Sequence, residues 1–388
     1  MVTPSEAESY RKRAAQRWYR ERAKGEEGSE RDPFELISGT RGFHRIRKRD
    51  DGACGFLSPE NRCRIHEELG GSRKPLTCRM FPYRFHPTGD ALVVTTSFCC
   101  PTTIANAGGS LPSQLNDIKA LSAEWFAVYP EKPAQARFVA GRTIDGAALT
   151  ALREILRQML DRGGVAGRRN LRENVLRMAH TLEDLARYRV ARLEDGAFSE
   201  YLSLTGRHAA GTEKPVAQRR PSLVGRLLQR GFLFVVVATR LQVENKTFSG
   251  WRLGLRLRLL RLLAHFHGLL PGVAGIDLRA ARRTRVDVDA KELQPIAHHY
   301  LRSSIEGLGT GRRPVLEELA VSVSYLNAAC DLAAMKAAET GQPVNAAVFS
   351  EALMDAVDLT HADDRGMLGR ILGTLAAGPE ALYAFAAR

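Results

Sequence analysis

Residues 51–101 read DGACGFLSPENRCRIHEELGGSRKPLTCRMFPYRFHPTGDALVVTTSFCCP and hold five of the chain's six cysteines: Cys54, Cys63, Cys78, Cys99 and Cys100. Eight, fourteen and twenty residues separate the first four, and the last two are adjacent. Only Cys330 lies elsewhere, so the thiols have a local purpose, either disulfide pairing or metal ligation. The N-terminal segment MVTPSEAESYRKRAAQRWYRERAKG is charged and lacks the apolar stretch of a secretory signal. The expectation is therefore a cytoplasmic protein in a reducing compartment, where clustered thiols bind metal more often than they pair.

Working outward, Phe43–Arg47 alternates apolar and polar residues and meets Asp50-Asp51-Gly52, a turn signal before Ala53–Leu57. That pattern predicts a small hairpin with Cys54 on its returning strand. Ser58-Pro59-Glu60-Asn61 is a turn, and Cys63–Leu69 reads as one or two helical turns ending at Gly70-Gly71. Lys74-Pro75 forces an extended approach to Cys78. Ala91–Thr96 (ALVVTT) reads as a strand delivering Cys99 and Cys100. So little regular structure holds its shape poorly without a cross-link or a metal.

Adjacent residues on an extended strand point to opposite faces, so Cys99 and Cys100 are not both expected as ligands. Pro101 biases Cys100 toward extended backbone, and Cys-Pro also closes the ligand run of bacterial ferredoxins. Cys100 is the one chosen. Four thiolates from Cys54, Cys63, Cys78 and Cys100 satisfy either a tetrahedral zinc or an iron–sulfur cluster, and spacing alone does not separate the two.

The 388 residues, 44% hydrophobic and 26% charged, suit a globular protein with a sizeable core. No apolar run approaches the ~20 residues needed to cross a bilayer; the nearest, Gly231–Thr239 (GFLFVVVAT), reads as a buried helix centre. The net charge of +14 is concentrated. Between Glu213 and Arg285 fifteen Lys and Arg face three acids, leaving the rest near neutral. Such a stretch suits an acidic partner or an anionic membrane surface, or else a set of solvated helix faces. Interleaved aromatics and nucleic-acid motifs are lacking, which argues against nucleic acid as partner.

Elsewhere the pattern is helical. Thr3-Pro4-Ser5-Glu6 is a helix start, and a charged helix is expected to about Ala23. From Leu115 onward periodicity predicts helices near 115–128, 147–162, 170–194, 222–242, 251–269, 289–306, 314–340, 345–358 and 364–376. The stretch near 213–221, with two prolines, is the most linker-like. The reading is thus mainly α. A small irregular Cys-rich metal-binding module with a short β-hairpin (1–112) precedes a larger helical domain (113–388).

The cysteine stretch also resembles a known family. Asp51-Gly52-Ala53-Cys54-Gly55-Phe56-Leu57, Cys63-Arg64-Ile65-His66, Lys74-Pro75-Leu76-Thr77-Cys78-Arg79-Met80-Phe81-Pro82 and Cys100-Pro101 together look like the YkgJ-type cysteine-cluster family, described as a zinc- or iron-chelating domain. Its long members include the flagellin lysine-N-methylases. The resemblance implies an iron–sulfur cluster or zinc, S-adenosylmethionine as methyl donor, and a flagellin-like protein substrate. Family members usually carry a further C-x2-C-x2-CC cluster just before a segment like Val2–Ala7, so a missing upstream ligand segment is an expectation here.

Other candidates carry less. Glu306-Gly307-Leu308-Gly309-Thr310-Gly311 is similar to the glycine loop of methyltransferases, but such a loop follows a strand, and His298–Ile305 reads as helix. It is expected to link two helices. His265 and His267, and adjacent His298 and His299, do not share a helix face and are not expected as metal pairs. Trp251–Leu270 is basic and amphipathic, fitting either a membrane surface or a core helix with solvent-reaching arginines. Cys330 reads as a core thiol. No catalytic or cofactor-binding residue emerges. The rival to an enzyme is a non-catalytic, zinc-stabilised binding module whose basic helices engage an acidic partner.

Overall fold

The computed structural model describes residues 1–13, 32–40, 42–49, 52–88, 91–130, 136–139, 142–162, 170–187, 195–211, 221–244, 284–310, 313–361 and 380–387. In chain order the first elements are α1 (Pro4–Arg13), β1 (Phe34–Leu36), β2 (His44–Ile46), α2 (Arg64–Leu69), α3 (Leu76–Met80), β3 (Tyr83–Thr88), β4 (Ala91–Thr96), α4 (Pro101–Ile104) and α5 (Leu115–Val128). There follow β5 (Arg137–Val139), β6 (Arg142–Thr143), α6 (Gly146–Asp161), α7 (Leu171–Arg187), α8 (Asp195–Gly211) and α9 (Leu223–Glu244). The last are α10 (Gln294–Glu306), α11 (Val315–Thr340), α12 (Ala346–His361) and α13 (Glu380–Ala386). The described residues are mainly helical, and their strands form three separate two-stranded sheets. Two units divide the chain: Met1–Arg84 with Gly109–Glu131, and Phe85–Gly108 with Lys132–Arg388.

In the first unit, α1 starts where Thr3 and Glu6 form a capping box. Thr3 Oγ1 accepts from the Glu6 N–H at 3.2 Å, and the Glu6 carboxylate accepts from the Thr3 N–H at 2.8 Å. Pro4 occupies the first turn, where an N–H has no helical partner to lose. The predicted extension to Ala23 lies outside the described residues beyond Arg13. The first strands correct the predicted hairpin. β2 pairs antiparallel with β1, Glu35 opposite Arg45, while Lys48 and Cys54 make one isolated bridge. The physical reason is local. Gly52, at a φ of 83°, closes a tight turn in which Arg49 N–H donates to Ala53 O at 2.9 Å. The chain then turns back at once, Leu57 N–H donating to Cys54 O at 3.1 Å, so no ladder forms. Val2, Ala7, Tyr10, Phe34, Phe56 and Ile65 bury against one another as a small core.

The second unit is built around α11, a 26-residue helix with Glu317 and Glu318 in its first turn and Gly341 at a left-handed φ of 67° ending it. It packs against α9, α10, α12 and α13. Helix α6 begins where Asp145 accepts the Ala148 N–H at 2.7 Å. Its stripe of Ala148, Leu149, Leu152, Ile155, Leu156 and Met159, spaced three and four apart, is buried against α7, α8 and α10. Each fully buried aliphatic side chain in such a stripe contributes roughly 2 kcal/mol. Phe232 and Leu233 are buried in this core, and so is Cys330, as a core thiol is expected to be.

The sequence reading runs one helix from 170 to 194; α7 covers Leu171–Arg187 of it, 188–194 lie outside the described residues, and a further helix, α8, covers Asp195–Gly211. Gly206 explains why α8 is inconspicuous in sequence. A Cβ there would lie 2.3 Å from the Ile155 side chain, so close approach to α6 replaces an apolar side chain with glycine. The predicted helices at 251–269 and 364–376, and most of the predicted linker near 213–221, lie outside the described residues. Among the described residues no helix is long and apolar enough to cross a membrane.

Candidate metal centre

Three of the predicted ligands lie in the first unit, each set by a different piece of chain. Cys54 leaves the Arg49–Ala53 turn and leans against the small core. Cys63 sits across an isolated bridge from Leu57 and forms the N-cap of α2. The two segments are tied by Arg64 N–H donating to Phe56 O at 3.0 Å, and Phe56 and Ile65, both buried, anchor them. Asn61, at a positive φ of 60°, closes the intervening turn, a conformation Asn tolerates better than most residues.

Cys78 is carried by α3. Pro75 holds its approach extended, and Cys78 N–H donates to Pro75 O at 2.8 Å. The exposed N-terminal amides of α3 need acceptors, and Glu6 supplies one: Leu76 N–H donates to its Oε1 at 2.8 Å. A single carboxylate therefore caps both α1 and the helix bearing Cys78. Thr77 Oγ1 donates to Met1 O at 2.7 Å, and the Met1 amine lies 3.3 Å from the same hydroxyl. Arg79 forks onto Glu124 of α5, fixing α3 from its other side.

Two of these thiols are shifted from their ordinary value. Burial pushes the Cys54 thiol up, the Phe56 N–H opposes it, and the charge of Cys63 pushes it further. Burial also raises Cys78, and the charges of Cys54 and then Cys63 add to it, against Lys74 and the Met1 amine. That amine is itself lowered by burial, with Cys78 and Glu6 pulling the other way. As they stand, no three His, Cys, Asp or Glu side chains among the described residues are arranged to hold a metal ion.

Cys99 and Cys100 belong to the second unit. Strand β4 ends at Thr96, so the two lie in the turn beyond it, with Cys100 N–H donating to Ser97 O at 3.1 Å. The alternation of a strand therefore does not govern which of them is available, and here the sequence argument used the wrong geometry. Cys99 packs, partly buried, against the large core, while Cys100 opens α4. Burial would raise the Cys100 thiol, but N–H and hydroxyl groups of Thr103 and Thr102 outweigh it and lower it.

The glycine segment is a link between helices, as its sequence context predicts. It follows α10 and precedes α11, and Gly309, at φ 76°, donates its N–H to Glu318 Oε2 at 2.6 Å. The Arg153 guanidinium donates to Leu308 O from α6. Neither histidine of the 298–299 pair joins the thiols: His298 bonds Asp161 at 2.7 Å, and the His299 ring lies tilted against Phe98 at 5.2 Å. Sequence reasoning missed Glu6 as the residue that positions Cys78. The Thr3-x-x-Glu6 box marks its first role, but nothing local marks the second, which joins residues 70 apart. No family model, curated protein or solved structure matches the chain.

Proposed function

We propose that the first unit is a metal-binding cysteine centre in which Cys54, Cys63 and Cys78 supply thiolates to zinc or to an iron–sulfur cluster. The observation that carries this reading is that Cys54 and Cys63, from separate segments, pack on one small core, and that Cys78, on a third segment, feels the charge of both. Partly buried thiols that repel one another as anions are stabilised by a cation between them, and thiolate sulfur suits zinc and iron. A bound metal also offsets the small apolar core of this unit. The sequence adds Cys100 to the ligand set, and a Cys100→Ser variant tests that addition separately.

The resemblance to the YkgJ-type family extends the proposal to protein lysine N-methylation, with S-adenosylmethionine as methyl donor and a flagellin-like substrate. The metal would organise the thiol-bearing segments, and the chain's own part is to hold them by the Glu6 and Tyr10 contacts to α1.

A second reading rests on the start of α9, where exposed Leu223, Val224 and Leu227 stand among Arg226 and Arg230 within the basic stretch between Glu213 and Arg285. This is the composition of a surface that binds an acidic partner, with zinc in a structural role.

Metal and acid-labile sulfide analysis of anaerobically purified protein tests the centre. The expected result is bound zinc, or iron with sulfide, that disappears in Cys54→Ser/Cys78→Ser. Metal-free wild-type protein that takes up neither zinc nor iron overturns it. Iron with sulfide, together with methyl transfer from labelled S-adenosylmethionine to flagellin, supports the enzyme. Stoichiometric zinc with salt-sensitive capture of an acidic protein supports the binding module.

A further inference from the structure

Helices α9, α11 and α13 line a cleft of about 430 Å³ in the second unit, and of the residues discussed under the proposed function only Arg226 and Arg230 line it. That volume lies within the ~300–1,000 Å³ usual for small-molecule sites. Its lining combines apolar side chains, Phe232 and Leu233 among them, with an ordered polar floor. Asn327 Nδ2 donates to Ala381 O at 3.1 Å and to Gln229 Oε1 at 3.4 Å. Gln229 Nε2 donates in turn to Ser324 Oγ at 3.2 Å, and the Ser324 hydroxyl donates to Ala320 O at 2.9 Å.

This chain of bonds has one direction. With two acceptors facing Nδ2, the Asn327 amide has a single sensible orientation, and its Oδ1 is left buried with no hydrogen-bond partner among the described residues. Asn327 is 3% exposed and Ser324 is fully buried. An unfilled acceptor in such a place is costly, and an incoming donor relieves it.

The mouth carries charge. Arg226 and Arg230, one turn apart on α9, line the cleft and are exposed. Asp331 lines it as well, so the three charged side chains together accept one negative charge better than two or more. A ligand that satisfies the whole lining has an apolar body, one N–H or O–H donor and a single anionic group.

We propose that this cleft binds a small monoanionic organic acid, an aryl or similarly apolar carboxylate carrying a hydrogen-bond donor, with the acid at Arg226 and Arg230 and the donor toward Asn327.

Isothermal titration of the full chain with three shape-matched probes tests this. Indole-3-acetate carries ring, N–H and carboxylate; 1-naphthylacetate lacks the N–H; tryptamine replaces the anion with a cation. The expected result is 1:1 binding of indole-3-acetate with a Kd below ~1 mM, at least ~5-fold weaker binding of 1-naphthylacetate, and no binding of tryptamine. Arg226→Glu and Arg230→Glu, both at exposed positions, should each weaken indole-3-acetate by ~10-fold or more. Asn327→Leu, checked for folding by its thermal melt, should make the two acids bind alike. If that variant fails to fold, the arginine variants still decide. No binding of indole-3-acetate at ~5 mM, tryptamine binding as well as the acid, or affinity unchanged in both arginine variants would each overturn the proposal.

Discussion

The two units of this chain are held together by different means. The second rests on a broad apolar core in which whole helical stripes, such as Leu152, Leu156 and Met159 of α6, are buried against neighbouring helices. Among its described residues the first has a core cluster of only six buried side chains and relies on polar devices, among them the doubly capping Glu6, the Arg11–Asp32 fork at 2.6 Å and Tyr10 donating to Arg73 O. A hydrophobic core tolerates the loss of any one polar contact, whereas a unit pinned by caps and turns is sensitive to each. The metal centre proposed for Cys54, Cys63 and Cys78 would lie in the unit whose stability a metal would raise the most.

The largest expected effect separates the units by their dependence on metal. Chelation should remove on the order of 10 kcal/mol of metal-linked stability from the first unit. Hydrogen exchange should then show lost protection in α2 and α3 while α11 keeps its own. Equal loss in both units would break the distinction.

Next in size is the apolar core. Leu152→Ala, at a fully buried position, should cost ~2–5 kcal/mol, read by denaturant unfolding, and leave metal content unchanged. A loss under ~1 kcal/mol would mean that α6 is not a core helix.

A pH effect comes next, in the second unit. Burial raises the Glu318 carboxyl to about 7, opposed by the Gly309 N–H, the Thr310 hydroxyl and Arg313, with Arg153 also facing it. Its ordinary value is 4.5. Between these values the folded form holds more protons than the unfolded one, so stability falls as pH rises from about 4.5 to about 7. The change should reach ~3 kcal/mol at most, and Glu318→Gln should flatten it. A profile that is the same in the variant removes Glu318 as its source.

The smallest effect sharpens the picture of the first unit. Glu6→Ala should cost ~1–2 kcal/mol through the loss of caps on α1 and α3. Exchange at the Leu76 amide should rise with it. A variant that exchanges like the wild type at Leu76 would show that the cap on α3 is not needed.

Much of this architecture was legible in the residues. Helix α5 at 115–128 and strand β4 at 91–96 match their predicted spans, and α11 falls within one residue of its own, because long periodic runs bounded by proline and glycine leave little choice. Strand β1 was not foreseen, since three residues carry no usable alternation and its link to β2 turns through Gly39 and Gly42, both at positive φ. Helix α8 was lost to the close approach that Gly206 permits, a property of two helices and not of one. Cys54, Cys63 and Cys78 all fall in the first unit, and Cys54 and Cys63 pack on its small core, but no three side chains there are arranged to hold a metal ion among the described residues. The grouping of Cys99 and Cys100 with the helical unit follows from packing of Phe98 and Ile104 in the large core, which spacing along the chain does not encode.

The most direct test of the central claim is residue-resolved thiol alkylation, followed by mass spectrometry, before and after chelation. The account predicts that Cys54, Cys63 and Cys78 are protected together in the metal-bound protein and become reactive together when the metal leaves, while buried Cys330 stays unreactive throughout. Independent reaction of the three at rates that chelation leaves unchanged would contradict it.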